Sequence, residues 1–410
     1  MAAAFTVYFS VYGFRKPFTA APFAGPGLLG LGFKELVVLA QVAGYTLAKF
    51  IGIGVIAEMR AERRIASLLT LVALAEGGLV LLAVLPAPWN AVGPAVNGLC
   101  LGLTFGLVFG FLEGRRSTEA LAAGLCASFI VADGVMKSVG AWLLDRGVPE
   151  VWMPAAAGLL FTPPLLLASA VLARTPPPND ADEAARTVRS RVDGADRRTL
   201  YRTWGGGLAL IVGAYVIVTI IRSVRADFAP QLWAGLGVDA VPRLYTVSEL
   251  WVALAVTALG ALPVFVAGNR RAFLVSLATC LGGAVLLAAA LVSRSAGLVA
   301  PMTFMVLVGT AAYLPYVTIH TTVFERFIAA TGSRGNAAFL LYVADFAGYL
   351  GYVIVLGLRL SGRQGPGSVP AFVTLCWCGA AGLAACSIAA WIVFARRIAE
   401  PTATAAETGR

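Results

Sequence analysis

Phe14-Arg15-Lys16-Pro17-Phe18, running on to Phe23-Ala24-Gly25-Pro26-Gly27, is answered 210 residues later by Val224-Arg225-Ala226-Asp227-Phe228, running on to Trp233-Ala234-Gly235-Leu236-Gly237. The arginine, the first aromatic, the alanine and both glycines recur in register, and each arginine stands inside an apolar stretch of membrane-crossing length. Further along, Glu113 is matched by Glu325, and Val131-Ala132-Asp133 by Val343-Ala344-Asp345, both at an offset of 212. Nearly equal offsets at opposite ends of each half indicate a duplicated chain. An even number of crossings between equivalents gives both copies one orientation, so the halves are related by an axis along the membrane normal. A cation at the same place in both halves points to a two-fold site for an anion.

Hydrophobic residues fill 59% of 410 positions and charged residues 13%, with a mean hydropathy of +0.84, which removes the chain from the soluble globular class. Apolar stretches long enough for about 30 Å of hydrocarbon run over approximately 2–23, 35–57, 65–86, 89–112, 118–144, 151–173, 202–232, 243–267, 272–293, 297–324, 335–359 and 369–395. The expected fold is therefore an all-α polytopic membrane protein of twelve transmembrane helices in two pseudo-symmetric six-helix bundles. Residues 1–173 form the first bundle, 174–200 a hydrophilic linker containing Pro176-Pro177-Pro178, 201–397 the second bundle and 398–410 a tail. Arg15 and Lys16 follow the first apolar run and no small-residue cleavage site comes after them, so that run reads as a retained helix. By the repeat, Met1 corresponds to Ile211, whereas the seventh span begins near Trp204. The first span is thus about two turns short, through a short end or a start further upstream.

The net charge of +10 reports orientation and gives no reason to expect nucleic acid. Arg60, Arg63 and Arg64, Arg115 and Arg116, Arg270 and Arg271, Arg326 and Arg334, and Arg396 and Arg397 fall in alternate loops, and the linker adds more arginines. The positive-inside rule then puts both termini and the linker in the cytoplasm. Six cysteines lie in apolar segments and read as packing residues without disulfides; Cys376 and Cys378 diverge on a helix, and no metal or cofactor is expected.

Twelve helices in parallel halves with a central linker resemble the major facilitator superfamily, as does the loop Gly54-x-x-x-Glu58-x-Arg60-x-x-Arg63-Arg64. It is similar to that family's acidic-basic loop after helix 2, with one residue more and Glu in place of Asp. Tyr8-x-x-x-Tyr12-x-x-Arg15-Lys16-x-Phe18 resembles the first helix of the organophosphate:phosphate antiporters, with Pro17 in place of Asn. That resemblance implies that an arginine from helix 1 and one from helix 7, here Arg15 and Arg225, bind the substrate phosphate. The run Tyr-Gly-Phe-Arg-Lys-Pro-Phe-Thr-Ala-Ala, with Gly44-Tyr45-x-x-x-Lys49-Phe50-x-Gly52, more closely resembles an uncharacterised bacterial group of facilitator-like proteins. It implies a bacterial inner membrane and supplies no substrate.

Arg15 lies about 21 Å of helix from Met1, too deep to snorkel, and must face protein or water. Guanidinium offers a planar fork suited to phosphate or carboxylate. The competing role for each arginine is neutralisation by an internal carboxylate, for Arg225 by Asp227 or Glu249. Lys49, Arg222, Tyr12 and Tyr45 are further candidates for the lining of an anion site, whereas Lys16, about 100° round the helix from Arg15, points toward a neighbouring helix. Asp345, Asp133, His320 and Glu249 are candidates for proton coupling or charge balance, against a local Asp133–Lys137 pair and a packing role for His320. Glu58, Arg63, Glu113, Arg115, Glu325 and Arg326 are expected in gate or loop salt bridges, surface anchoring being the alternative. The sequence thus reads as a monomeric secondary carrier, not an enzyme, that moves a small anionic solute across a lipid bilayer by alternating access. A proton-coupled organic-anion symporter and a non-transporting sensor on the same fold are the alternatives.

Overall fold

The computed structural model describes residues 1–23, 25, 27–28, 30–55, 61–112, 118–176, 194–239, 241–262, 266–333, 337–358 and 367–398. These residues are mainly helical, and ten helices among them are long and apolar enough to cross a membrane. Two more complete the twelve: a shorter apolar helix, Ala2–Phe14, and Pro242–Gly260, whose hydropathy is lowered by Arg243 and Glu249. In chain order they are α1 (Ala2–Phe14), α2 (Phe33–Val55), α3 (Arg64–Val84), α4 (Trp89–Phe109), α5 (Thr118–Asp145) and α6 (Met153–Ala173). The second half contains α7 (Gly194–Asp227), α8 (Pro242–Gly260), α9 (Asn269–Ser295), α10 (Pro301–Thr331), α11 (Ala337–Leu358) and α12 (Val369–Arg397). Large apolar side chains such as Leu159, Leu167, Trp251, Leu254 and Val285 stay exposed on the outer faces, as a lipid solvent permits.

The halves meet along two helix pairs, α2 with α11 and α5 with α8. Exchanging α1–α6 with α7–α12 turns one pair into the other, which is the geometry of a parallel two-fold repeat. Within the first half, α2 and α4 approach to backbone contact. A methyl group on Gly44 would stand 2.1 Å from the Ala95 carbonyl oxygen, and one on Gly98 would stand 2.0 Å from that of Gln41. In a membrane, where apolar burial gives no net drive between helices, such small-residue seams supply the packing.

The first span departs from the expected continuous helix over 2–23. It is α-helical to Val11, tightens to a 3-10 turn over Tyr12–Phe14, and breaks at Arg15 and Lys16 before a second 3-10 turn, Pro17–Ala20. Pro17 contributes to the break, since it has no N–H for the Gly13 carbonyl. The equivalent span, α7, continues to Asp227 and breaks one residue later, at Phe228, before a short helix, Ala229–Gly235. α10 contains a π-turn, Ile319–Val323, that carries His320. π-turns inside α-helices concentrate at functional positions.

Candidate functional site

The break in α1 frees backbone carbonyls at mid-depth, and two amides of the first half take them up. Asn97 Nδ2 donates to the Phe14 carbonyl at 2.9 Å, and Gln41 Nε2 donates to that of Arg15 at 3.0 Å while also reaching Asn97 Oδ1 at 3.0 Å. The chain is therefore fixed where Arg15 leaves it. The Arg15 guanidinium lies 3.9 Å from the centre of the Tyr45 ring and donates to Tyr12 Oη at 3.4 Å.

From the opposite half, Arg222 of α7 turns toward the same place. Its Nη2 donates to Tyr349 Oη at 2.9 Å, and its guanidinium stands 4.3 Å from the Tyr316 ring centre. Tyr349 is shared: its ring packs on Tyr45 at 4.6 Å and lies 5.9 Å from the Arg15 guanidinium and 5.8 Å from that of Arg222. Arg15 is 7% exposed and Arg222 4%, and the Nε of each has no hydrogen-bond partner. Neither forms an ion pair among the described residues.

Of the remaining buried cations, four are paired with carboxylates, and Lys34, at the start of α2, donates instead to the Thr19 and Ala21 carbonyls at 2.5 and 2.6 Å. Arg225 donates through Nη1 to Glu249 Oε1 at 2.6 Å and through Nε to the Met305 carbonyl at 3.0 Å. Lys16 bridges the halves, with Nζ 2.6 Å from Asp227 Oδ1 and 3.3 Å from Asp133 Oδ1; Asp133 also holds Lys137, and Asp227 accepts from Tyr352 Oη at 3.1 Å. Lys49 makes a second bridge between halves, to Asp345 Oδ2 at 2.8 Å. The other oxygen of Asp345 accepts from Tyr215 Oη, which lies 3.1 Å from His320 Nδ1. Lys16, Lys49, Lys137 and Arg225 thus set four positive charges against Asp133, Asp227, Asp345 and Glu249. Between the two halves, Arg15 and Arg222 are left without a carboxylate among the described residues and with Nε unpartnered, unlike Lys34, whose ammonium is held by backbone carbonyls.

The sequence-predicted residues separate accordingly. Arg15, Arg222, Tyr12 and Tyr45 come together, and Lys49 sits close by, its Nζ 5.2 Å from the Tyr45 ring centre. Arg225 lies in the ion pair with Glu249 that was its competing role, and Arg222 stands beside Tyr349 in its place. Asp133 holds Lys137 as well as Lys16, and Asp345 and His320 share the Tyr215 hydroxyl. Of the loop residues, Arg63 is exposed, Arg326 donates to Asn269 Oδ1 at 2.9 Å within its own half, and Glu325 lies on the last segment of α10. Glu58, Glu113 and Arg115 lie outside the described residues. Tyr349, Tyr352 and Tyr215 were missed by sequence reasoning, as were Gln41 and Asn97. A polar residue inside an apolar span was the available signal for all five.

A family model matches residues 17–397, nearly the whole chain. The protein belongs to DUF5690, a family of unknown function. No curated protein sequence matches this DUF5690 chain. Its structure is similar to that of a bacterial homologue of the human drug peptide transporters PepT1 and PepT2, at a TM-score of 0.57 and 14% identity over 97% of this chain and 98% of the other. At that identity the likeness establishes the fold alone, an all-α polytopic membrane architecture.

Proposed function

We propose that this protein is a secondary carrier for a small, doubly charged anion, held between Arg15 of the first half and Arg222 of the second. The observation that carries the reading is the charge balance of the buried network, which leaves these two guanidinium groups without a carboxylate. Unpaired buried cations are costly, and a ligand that neutralises them recovers that cost as affinity. The rings of Tyr12, Tyr45, Tyr313, Tyr316 and Tyr349 provide cation-π faces and hydroxyl groups around the pair. A zwitterion such as a peptide would also require a free carboxylate for its ammonium, and each of the four carboxylates in this network already holds a cation.

The two bridges between halves suit alternating access. Lys16–Asp227 lies where α1 and α7 end, and Lys49–Asp345 lies six residues before the end of α2 and eight after the start of α11. The arginines lie between them. Releasing one bridge at a time would open one side of the membrane while the other stays shut. The Asp345–Tyr215–His320 chain gives the second bridge a route for protons: protonation of Asp345 would release Lys49. With the arginine-rich loops on one face, both termini belong in the cytoplasm of a bacterial cell.

The test is counterflow in proteoliposomes of inorganic phosphate, sulfate, glycerol 3-phosphate and succinate, with and without a pH gradient. Transport of a dianion that is lost in Arg15→Ala and in Arg222→Ala supports the reading. Equal flux of an uncharged solute of the same size overturns it.

A further inference from the structure

Glu76 stands apart from the ion-pair network. It lies twelve residues into α3, about 18 Å along the helix at 1.5 Å per residue, near the middle of about 30 Å of hydrocarbon. Both carboxylate oxygens are shielded from solvent and neither has a hydrogen-bond partner. No cation pairs with it among the described residues.

The place it occupies is built for a carboxyl group. A methyl on Gly158 of α6 would stand 2.2 Å from Glu76 Oε2 and 2.9 Å from the Phe14 ring, so the glycine leaves the space that the group fills. Phe14 of α1 forms another wall of the niche, and the amide of Asn97 on α4 holds its backbone. The same amide nitrogen donates to the Phe14 carbonyl at 2.9 Å and to the Ala75 carbonyl, one residue before Glu76, at 3.1 Å. One amide therefore ties the backbone beside Glu76 to the break in α1 that carries Arg15. The groups shown beside the carboxyl among the described residues, the Phe14 ring from α1 and Gly158 from α6, are uncharged. The nearest cation in sequence to these walls, Arg15, turns away onto Tyr45.

An ionised carboxylate in such a place costs several kcal/mol, and with no cation to offset it, neutralisation by a proton is the remaining remedy. We infer that Glu76 is a proton-binding site: its carboxyl group keeps its proton in the niche between Gly158 and Phe14 and releases it when the end of α1 swings away and admits water. On release, the O–H bond breaks, its electron pair stays on the carboxylate and the proton passes to a water molecule at the opened niche. The inference rests on the membrane-embedded fold and is independent of the anion site, so either can fail without the other.

The experiment uses the purified full chain in lipid nanodiscs. Dicyclohexylcarbodiimide, which reacts with protonated carboxyl groups reached from the membrane, should form an adduct at Glu76, mapped by peptide mass spectrometry. Labelling should fall from mildly acidic to mildly alkaline pH. The ion-paired Asp133, Asp227, Asp345 and Glu249 should remain unlabelled. In infrared spectra, the deuterium-sensitive carbonyl band of a protonated carboxyl group should be lost in Glu76→Gln. Should that variant fail to fold, Gly158→Ala, which pushes a methyl into the niche, should shift the band. Absence of a Glu76 adduct, labelling that does not change with pH, or a band unaffected by both variants overturns the inference.

Discussion

Replacing Lys49 by methionine removes the one cation paired with Asp345 among the described residues, a carboxylate whose side chain is 4% exposed and which keeps the Tyr215 hydroxyl. Breaking a buried pair from one side costs about 3–5 kcal/mol, because the remaining charge stays buried and uncompensated. The reverse change, Asp345→Asn, should be milder. It leaves the Lys49 ammonium beside the rings of Tyr45, Phe105 and Tyr342, with centres 5.2, 5.5 and 5.4 Å away. Such faces recover about 1–2 kcal/mol together when desolvated. The double variant, Lys49→Met with Asp345→Asn, has neither orphaned charge and should lie within about 1 kcal/mol of the parent. The coupling energy between the two positions is then at least about 3 kcal/mol, at or above the upper end for residues in contact. Denaturant unfolding of the parent, both single variants and the double variant in detergent measures it. Additive losses would refute the reasoning, since they would mean that the two groups do not neutralise one another in the folded protein.

Three further substitutions test the surroundings of the arginines. Tyr349→Phe keeps the ring against Tyr45 and removes the hydroxyl that accepts from Arg222; unfolding should show a loss of about 1.5–3 kcal/mol, the range for a hydrogen bond to a charged group. Gly309→Ala places a methyl 2.7 Å from both Arg225 Cζ and Val252 Cγ2. The thermal midpoint should fall, with an overpacking cost of about 1–3 kcal/mol. Gly98→Ala drives a methyl against the Gln41 backbone and should loosen the Gln41 bond to the Arg15 carbonyl. Faster hydrogen exchange at the α1 break than in the parent would show it, and unchanged exchange would count against the clamp.

Much of the architecture was legible because a bilayer imposes one rule on every span, and long apolar runs report it directly. The break in α1 was hidden inside such a run. Pro17 and Gly13 were its signals, but they were read within a single crossing of 22 residues. The site was half legible. Matching Arg15 with Arg225 by the 210-residue offset assumed that equivalent residues do equivalent work. By that offset Arg222 corresponds to Tyr12, so the residue that approaches Arg15 is not its repeat partner. The asymmetry comes from Glu249 on α8, which takes Arg225 out of the unpaired set. Sequence spacing shows which charges exist at a given depth; only the packing of α8 against α10 and of α2 against α11 decides which of them are paired.

The central claim, that Arg15 and Arg222 form a site for a dianion while Arg225 is structural, is tested most directly by isothermal titration of the purified protein with inorganic phosphate, sulfate and succinate. Four proteins are needed: the parent, Arg15→Ala, Arg222→Ala, and a neutral pair, Arg225→Met with Glu249→Gln, that removes both charges of the ion pair together. At least one of these dianions should bind the parent, lose its binding in each of the first two variants and retain it in the paired variant. Unchanged binding in Arg15→Ala and Arg222→Ala, or loss confined to the Arg225 and Glu249 variant, would contradict the account.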